Sequence, residues 1–163
     1  MKVVISAAGT GGHINPGIVI ANKIKEKYRD AEIVFFGTNR GLEIDLVPRA
    51  GYKLKTIEAY GIQKQINFTN IKNLIKNTFL AYKVLKKEKP DLIISSGAAV
   101  AVPFFYVGKF LFGAKVVYIE VFDRIDKPTM SGKLVHPIAD LFIVEWEEMK
   151  NVYSKAINLG SIF

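Results

Sequence analysis

Short apolar runs alternate along the chain with segments that repeat their apolar residues every three or four positions. Residues 2–6, 32–37, 54–59, 91–95, 115–120 and 141–144 are strand-like, and most read as apolar on both faces. Helical patterns fill the gaps at about 16–28, 41–50, 71–89 and 100–112. In the first, Ile18, Ile20, Ala21 and Ile24 form the inner side; in the third, Ile71, Leu74, Ile75, Thr78, Phe79, Tyr82 and Leu85 do. The third stops before Pro90, whose ring disfavours helical geometry in its predecessor. Regular strand–helix alternation with doubly buried strands predicts an α/β fold, a Rossmann-like parallel sheet with helices on both faces. No repeat, low-complexity tract or linker interrupts the pattern, so residues 1–163 are expected to form one domain.

Composition narrows the class. Half of the 163 residues are hydrophobic, enough for a real core, which excludes global disorder. The absence of cysteine excludes a disulfide framework and thiolate metal sites, and fits a reducing cytoplasm. The chain runs from Met1-Lys2 straight into a strand, so no signal peptide is expected. The longest apolar stretch, 98–112, is interrupted by Pro103, Gly108 and Lys109 and falls short of the roughly 20 residues that span a bilayer. The formal net charge of +8 points to an anionic partner: nucleic acid, a membrane surface or a phosphorylated substrate.

Three turns carry candidate chemistry. Gly9-Thr10-Gly11-Gly12-His13 follows the first strand, where glycines let the backbone approach a ligand and the next helix aims its N-terminus at it. The spacing is not the dinucleotide fingerprint, because the third glycine would fall on Ile14. The bland alternative is a tight turn only. His13 would stand at the carboxyl edge of the sheet, as a base or a phosphate ligand. Ser95-Ser96-Gly97-Ala98-Ala99 leaves another strand at the same edge, either as the second half of a phosphate cradle or as a site of close helix packing. Glu120 and Asp123 end a third strand; one is a candidate base toward a sugar hydroxyl, against an ion pair of Asp123 or Asp126 with Arg124.

The helix at 71–89 carries most of the basic charge. Seven lysines and one acid, Glu88, lie between Lys64 and Lys89, with Lys72, Lys76, Lys83 and Lys87 on one face. That is either a solvated face or an attraction to anionic headgroups worth ~1 kcal/mol per lysine, to which aromatic residues such as Phe79, Phe104, Phe105 and Phe110 would add apolar contact. Nucleic-acid recognition motifs are lacking, so no nucleic-acid partner is expected. His13 and His136 have no ligand spacing around them, so no metal is expected.

The opening Val3-Val4-Ile5-Ser6-Ala7-Ala8-Gly9-Thr10-Gly11-Gly12-His13-Ile14-Asn15-Pro16, then Phe36-Gly37-Thr38, Gly41-Leu42-Glu43, Val47-Pro48 and Ala50-Gly51-Tyr52, resembles the MurG family of peptidoglycan N-acetylglucosaminyltransferases, over about residues 1–65. It departs at Ala7-Ala8, where that family usually carries glycines. Residues 66–163 resemble the Alg14 family through the helix before Pro90, Asp91-Leu92-Ile93-Ile94-Ser95-Ser96-Gly97-Ala98-Ala99, Tyr118-Ile119-Glu120 and the ending Asn158-Leu159-Gly160-Ser161-Ile162-Phe163. The two families are related, so a natural or engineered mosaic of them is structurally coherent.

The resemblance implies the acceptor half of a GT-B glycosyltransferase, bound peripherally at the cytoplasmic face of the plasma membrane. A UDP-sugar donor would be held mainly by an Alg13-like partner, and the acceptor would be a sugar on a polyprenyl pyrophosphate. His13 and Glu120 would be catalytic. Gly9, Thr10, Gly11, Gly12, Ser96, Gly97, Ala98 and Ala99 would hold the diphosphate, and Leu159, Gly160, Ile162 and Phe163 would meet the partner. Neither cofactor nor metal is implied. The alternatives are a non-catalytic scaffold that recruits a partner to the membrane, or a folded but inactive chimera.

Overall fold

A computed structural model describes residues 1–58, 68–97 and 99–160. Its elements are β1 (Lys2–Ser6), α1 (Gly11–Lys27), β2 (Glu32–Gly37), α2 (Glu43–Arg49), β3 (Lys53–Thr56), α3 (Phe68–Glu88), β4 (Leu92–Ser95), α4 (Ala101–Phe112), β5 (Lys115–Ile119), α5 (Met130–Val135), β6 (Leu141–Val144), a 3-10 turn (Glu147–Asn151) and β7 (Ile157–Asn158). The seven strands form one parallel sheet in the order β3-β2-β1-β4-β5-β6-β7. The α/β expectation is met, and α5 and β7 are additions to it. α1 begins at Gly11, so the turn is shorter than the glycine run suggested and the last two glycines already belong to the helix. The expected end of β3 at Ala59 lies outside the described residues.

Strand order and handedness together place the site. The chain moves outward from β1 to β3, then crosses to the far side of β1 and moves outward again from β4 to β7. Right-handed crossovers therefore put α1 and α2 on one face and α3, α4 and α5 on the other. The period-two alternation of the strands feeds both layers. Val3, Ile5, Ile33, Phe35, Ile94 and Ile119 pack with Ile14, Ala21 and Val47 on the α1 side. Val4, Val34, Phe36, Ile93, Val116 and Tyr118 pack with Leu85, Phe104, Phe105 and Val135 on the other. The direction of winding reverses between β1 and β4, which pair with Ser6 opposite Ser95. Such a reversal opens a crevice at the carboxyl ends of the two strands.

Helix α3 is rotated relative to the sequence-based expectation. Its buried stripe is Asn70, Asn77, Ala81, Leu85 and Glu88, while Ile71, Leu74, Ile75 and Phe79 are 43–65% exposed. Tyr82 is half-buried. The rotation follows from Glu88, which is buried and paired with Lys2 at 2.9 Å and with Lys55. Turning Ile75 inward would drag this carboxylate away from both ammonium groups, leaving a buried charge alone. Lys72, Lys76, Lys83 and Lys87 are exposed as expected, with the Lys83 ammonium 4.6 Å from the centre of the Phe79 ring. On α4, Phe104 and Phe105 are core residues, and of its aromatic side chains only Tyr106 and Phe110 are exposed, which corrects the idea that the whole aromatic run faces lipid.

Candidate functional site

At the crevice the β1–α1 and β4–α4 turns meet, and each fixes the other. The main chain stays extended through Ala7, whose N–H donates to the Phe36 carbonyl at 3.0 Å. Gly9 is the first residue of positive φ, at +95°. The two alanines at the family's glycine positions are therefore accommodated, because the left-handed step comes after them. Thr10 is extended, and α1 starts beyond it with no side chain capping its first turn. The His13 N–H donates to the Thr10 carbonyl at 3.1 Å, and the start of α1 stands at the crevice with its positive end.

His13 projects from that first turn toward the second loop. Its Nδ1 lies 2.8 Å from the Ser96 carbonyl, and a carbonyl only accepts, so Nδ1 carries a proton and the tautomer of the neutral ring is the one with its lone pair on Nε2. The Ser96 hydroxyl donates back to the His13 carbonyl. The Ser95 hydroxyl lies 2.9 Å from the Ser6 carbonyl and 2.6 Å from that of Gly97, tying the second turn to both strands. Gly97 has a φ of +105°, and a Cβ there would run into the imidazole. Ser96 and Gly97 thus hold the histidine in one orientation, a role the composition of this turn did not reveal. Ala99 is exposed, and Ala98 lies outside the described residues.

In front of His13 lies a cavity of about 380 Å³. Thr10, Gly12 and His13 form one wall; Val121, Phe122, Asp123, Arg124, Thr129 and Ser131 form the other. Asp123 and Arg124 lie 3.5 Å apart and are both accessible, so this wall offers a guanidinium and a carboxylate together. The Phe122 carbonyl accepts from Trp146 Nε1 at 2.6 Å, and the two rings stand 5.2 Å apart. The run from Tyr118 to Arg124 is a candidate from the sequence, whereas Thr129 and Ser131, which complete this wall, carry no sequence signal.

Glu120 departs from its expected place. It is 1% exposed and does not line the cavity. Strand alternation explains this: two residues beyond Tyr118, it points to the same side of the sheet, beneath α5 rather than into the crevice. A second buried glutamate, Glu43, lies under the first loop. It accepts from Gly9 N at 3.0 Å, Thr38 N at 2.8 Å and Thr38 Oγ1 at 2.7 Å, while Leu42 N donates to the Gly9 carbonyl at 3.1 Å. Burial pushes the Glu43 carboxyl up, but these hydrogen bonds outweigh it and hold the group below its ordinary range. The Gly-Leu-Glu triplet was visible in the sequence as a likeness, without a role.

The remaining candidates lie elsewhere. Lys72, Lys76, Lys83, Lys87 and Phe79 are on α3. Leu159, 67% exposed, and Gly160 follow β7 at the sheet edge. Ile162 and Phe163 lie outside the described residues.

A seven-stranded parallel sheet with helices on both faces that reverses at β1/β4 is the architecture of the N-terminal, Rossmann-like half of GT-B glycosyltransferases. The N-terminal domain of glycosyltransferase family 28 matches residues 3–120, and the chain belongs to that family. The UDP-N-acetylglucosamine--N-acetylmuramyl-(pentapeptide) pyrophosphoryl-undecaprenol N-acetylglucosamine transferase of Clostridioides difficile (strain 630) is 44% identical over all of this chain and 40% of its own length. The enzyme of the same name from Acetivibrio thermocellus is 35% identical over 99% of this chain and 44% of its own. The chain therefore spans about two fifths of the length of these curated relatives. Among solved structures, MurG of Acinetobacter baumannii superposes with a TM-score of 0.75 at 21% identity, covering 90% of this chain and 42% of that one. The UDP-GlcNAc 2-epimerase of Neisseria meningitidis bound to UDP-GlcNAc gives 0.65 at 18% identity, over 99% of this chain and 46% of that one. At such identities these two likenesses speak for the fold alone.

Proposed function

We propose that this chain is the acceptor-binding half of an inverting glycosyltransferase that moves N-acetylglucosamine from UDP-N-acetylglucosamine to a sugar on a polyprenyl pyrophosphate. The observation that carries this is His13, held through Nδ1 on the Ser96 carbonyl at the wall of a cavity, which leaves Nε2 as the nitrogen free to take a proton. Nε2 takes the proton of the acceptor hydroxyl as its oxygen bonds to the anomeric carbon of the donor and the bond from that carbon to UDP breaks. The N–H groups at the start of α1 and the Arg124 guanidinium hold the acceptor diphosphate. The names of the relatives support the donor and acceptor classes. The resemblance of residues 66–163 to Alg14 supports a separate, Alg13-like donor subunit, met through the segment that includes Leu159 and Gly160. The reaction is proposed to need no metal.

The first half of α3 is proposed to rest on the membrane at the cytoplasmic face. Ile71, Leu74, Ile75 and Phe79 are exposed among accessible lysines, which combines apolar insertion with attraction to anionic lipid. Among the described residues no helix is long and apolar enough to cross a membrane. Sedimentation with vesicles containing phosphatidylglycerol should fall about tenfold for an Ile75→Glu, Phe79→Glu variant, with unfolding unchanged. Equal sedimentation of variant and wild type would remove this contact.

Transfer of labelled N-acetylglucosamine to a polyprenyl-pyrophosphoryl sugar tests the main reading, with the chain alone and with an Alg13-like subunit, in the presence and absence of EDTA. Transfer only in the mixture, insensitive to EDTA and lost in His13→Ala, is the expected result. Undiminished transfer by a His13→Ala complex would reduce the chain to a scaffold.

A further inference from the structure

Glu120 is enclosed by donors. It accepts from Thr129 Oγ1 at 2.8 and 3.1 Å, Thr129 N at 3.2 Å, Val121 N at 3.1 Å and Tyr153 Oη at 2.7 Å. Thr129 Oγ1 in turn accepts from Gly132 N at 2.9 Å and so caps α5. A Cβ at position 132 would collide with Tyr153, Glu120 and Thr129, so the glycine there makes room for the cluster. Tyr118 Oη lies 3.2 Å from Thr129 Oγ1 and 3.0 Å from Ser131 Oγ. Burial, with Glu120 beside them, pushes the Tyr118 and Tyr153 phenols well above their usual range, which keeps both as donors.

These contacts begin and end the segment that forms the second wall of the cavity. Val121 and Thr129 bracket it, and both are tied to the same carboxylate. Tyr153 brings in the stretch between the 3-10 turn and β7, 33 residues along the chain. Phe122 joins this segment to Trp146 both through its carbonyl and through its ring.

We infer that Glu120 is a positioning residue: from inside the protein it sets the distance of the 121–131 wall from His13 and couples that wall to Tyr153 near the sheet edge. It does not meet the acceptor. The inference rests on the transferase reading for its consequence in catalysis, but the position of the wall can be read without any turnover.

The test uses Glu120→Gln, which keeps size and loses one acceptor oxygen, and Tyr153→Phe, which keeps the ring tilted against Phe142 with centroids 4.4 Å apart and loses only the hydroxyl. Trp146 is the sole tryptophan in the sequence and touches Phe122, so its emission reports on the wall. Amide exchange over 121–131 should accelerate about tenfold in Glu120→Gln and about threefold in Tyr153→Phe, with a shift in Trp146 emission and with exchange in β1 and β4 unchanged. In the assembled enzyme kcat should fall about tenfold while the pH–rate profile keeps its shape. Unchanged exchange and emission in both variants would overturn the inference. So would loss of the acid limb of the profile in Glu120→Gln, since that would make Glu120 the titrating base. Failure of wild type to transfer sugar with any partner would count against the transferase reading, while exchange and emission would still judge the wall.

Discussion

The two walls of the cavity are each rooted in a buried glutamate, yet they are built differently. The His13 wall is held mainly through main chain: Glu43 on the Gly9 N–H, Leu42 N on the Gly9 carbonyl, Ser96 on both the imidazole and the carbonyl of His13. Its supports come from turns that leave β1, β2 and β4, neighbours in the middle of the sheet. The 121–131 wall adds to two main-chain N–H groups, of Val121 and Thr129, a cluster of side-chain hydroxyls, of Thr129 and Tyr153, all on Glu120 in the outer half of the sheet. A main-chain lattice places N–H groups and one imidazole with little freedom, which suits a phosphate and a proton transfer. A wall of Phe122, Asp123, Arg124 and Ser131 can change its side chains without changing its frame, which leaves its chemistry freer to vary than that of the His13 wall.

The largest effect that would break this comparison is at His13. His13→Ala should lower transfer by about 10²- to 10⁴-fold, the range for loss of a general base, with its thermal unfolding close to wild type. Asp123→Asn, on the opposite wall, should change KM by less than about tenfold. A larger loss at Asp123 than at His13 would exchange the roles of the two walls.

Gly97→Ala comes next. A non-glycine residue at a φ of +105° is strained by about 1–3 kcal/mol, and the added methyl must displace the His13 ring. The variant should lose both stability and, by about 10- to 100-fold, transfer, because a small misplacement of the base is costly. Ala at 97 with normal transfer and lowered stability would show that the second turn supports the fold and not the histidine.

The sheet was legible because its strands are buried on both faces, so their apolar runs need no partner to be recognised. The site was legible as far as single motifs reach: Gly9–His13 and Ser96-Gly97 could be placed at one edge, since both leave parallel strands. That His13 is gripped by Ser96 could not, because it depends on β1 and β4 being neighbours, 89 residues apart in register. Glu120 reads from the sequence as a carboxylate arriving at the edge; strand period puts it on the same side as Tyr118, but only α5, which the pattern does not predict, shows that side to be covered. The rotation of α3 was lost for another reason. Its apolar residues make a clean helical stripe, and only the pairing of Glu88 with Lys2 and Lys55 reveals that the opposite stripe is buried. A hydrophobic stripe on a helix marks a face that leaves water, whether for the core or for a surface beyond the chain.

The smallest effect separates the walls by pH. The Glu43 carboxyl is below its ordinary value in the folded protein, and so is that of Glu88, where burial pushes upward but Lys55 and Lys2 pull further down. At neutral pH both groups are ionised whether the chain is folded or not. As pH falls through about 4.5, the ordinary carboxyl value, the unfolded chain takes up protons first. Stability contributed by these groups is therefore present above that point and is lost progressively as pH falls toward the folded values. Urea midpoints at pH 7, 5 and 4 should decline, and Glu43→Gln, itself costing about 1–3 kcal/mol at neutral pH, should flatten part of the decline. Protection of the Gly9 and Thr38 amides, measured against their intrinsic exchange rate at each pH, should fall over the same range, since both donate to Glu43. Acidification that frees the 121–131 amides before those of Gly9 and Thr38 would mean that the first wall does not depend on its glutamate in the way its hydrogen bonds imply.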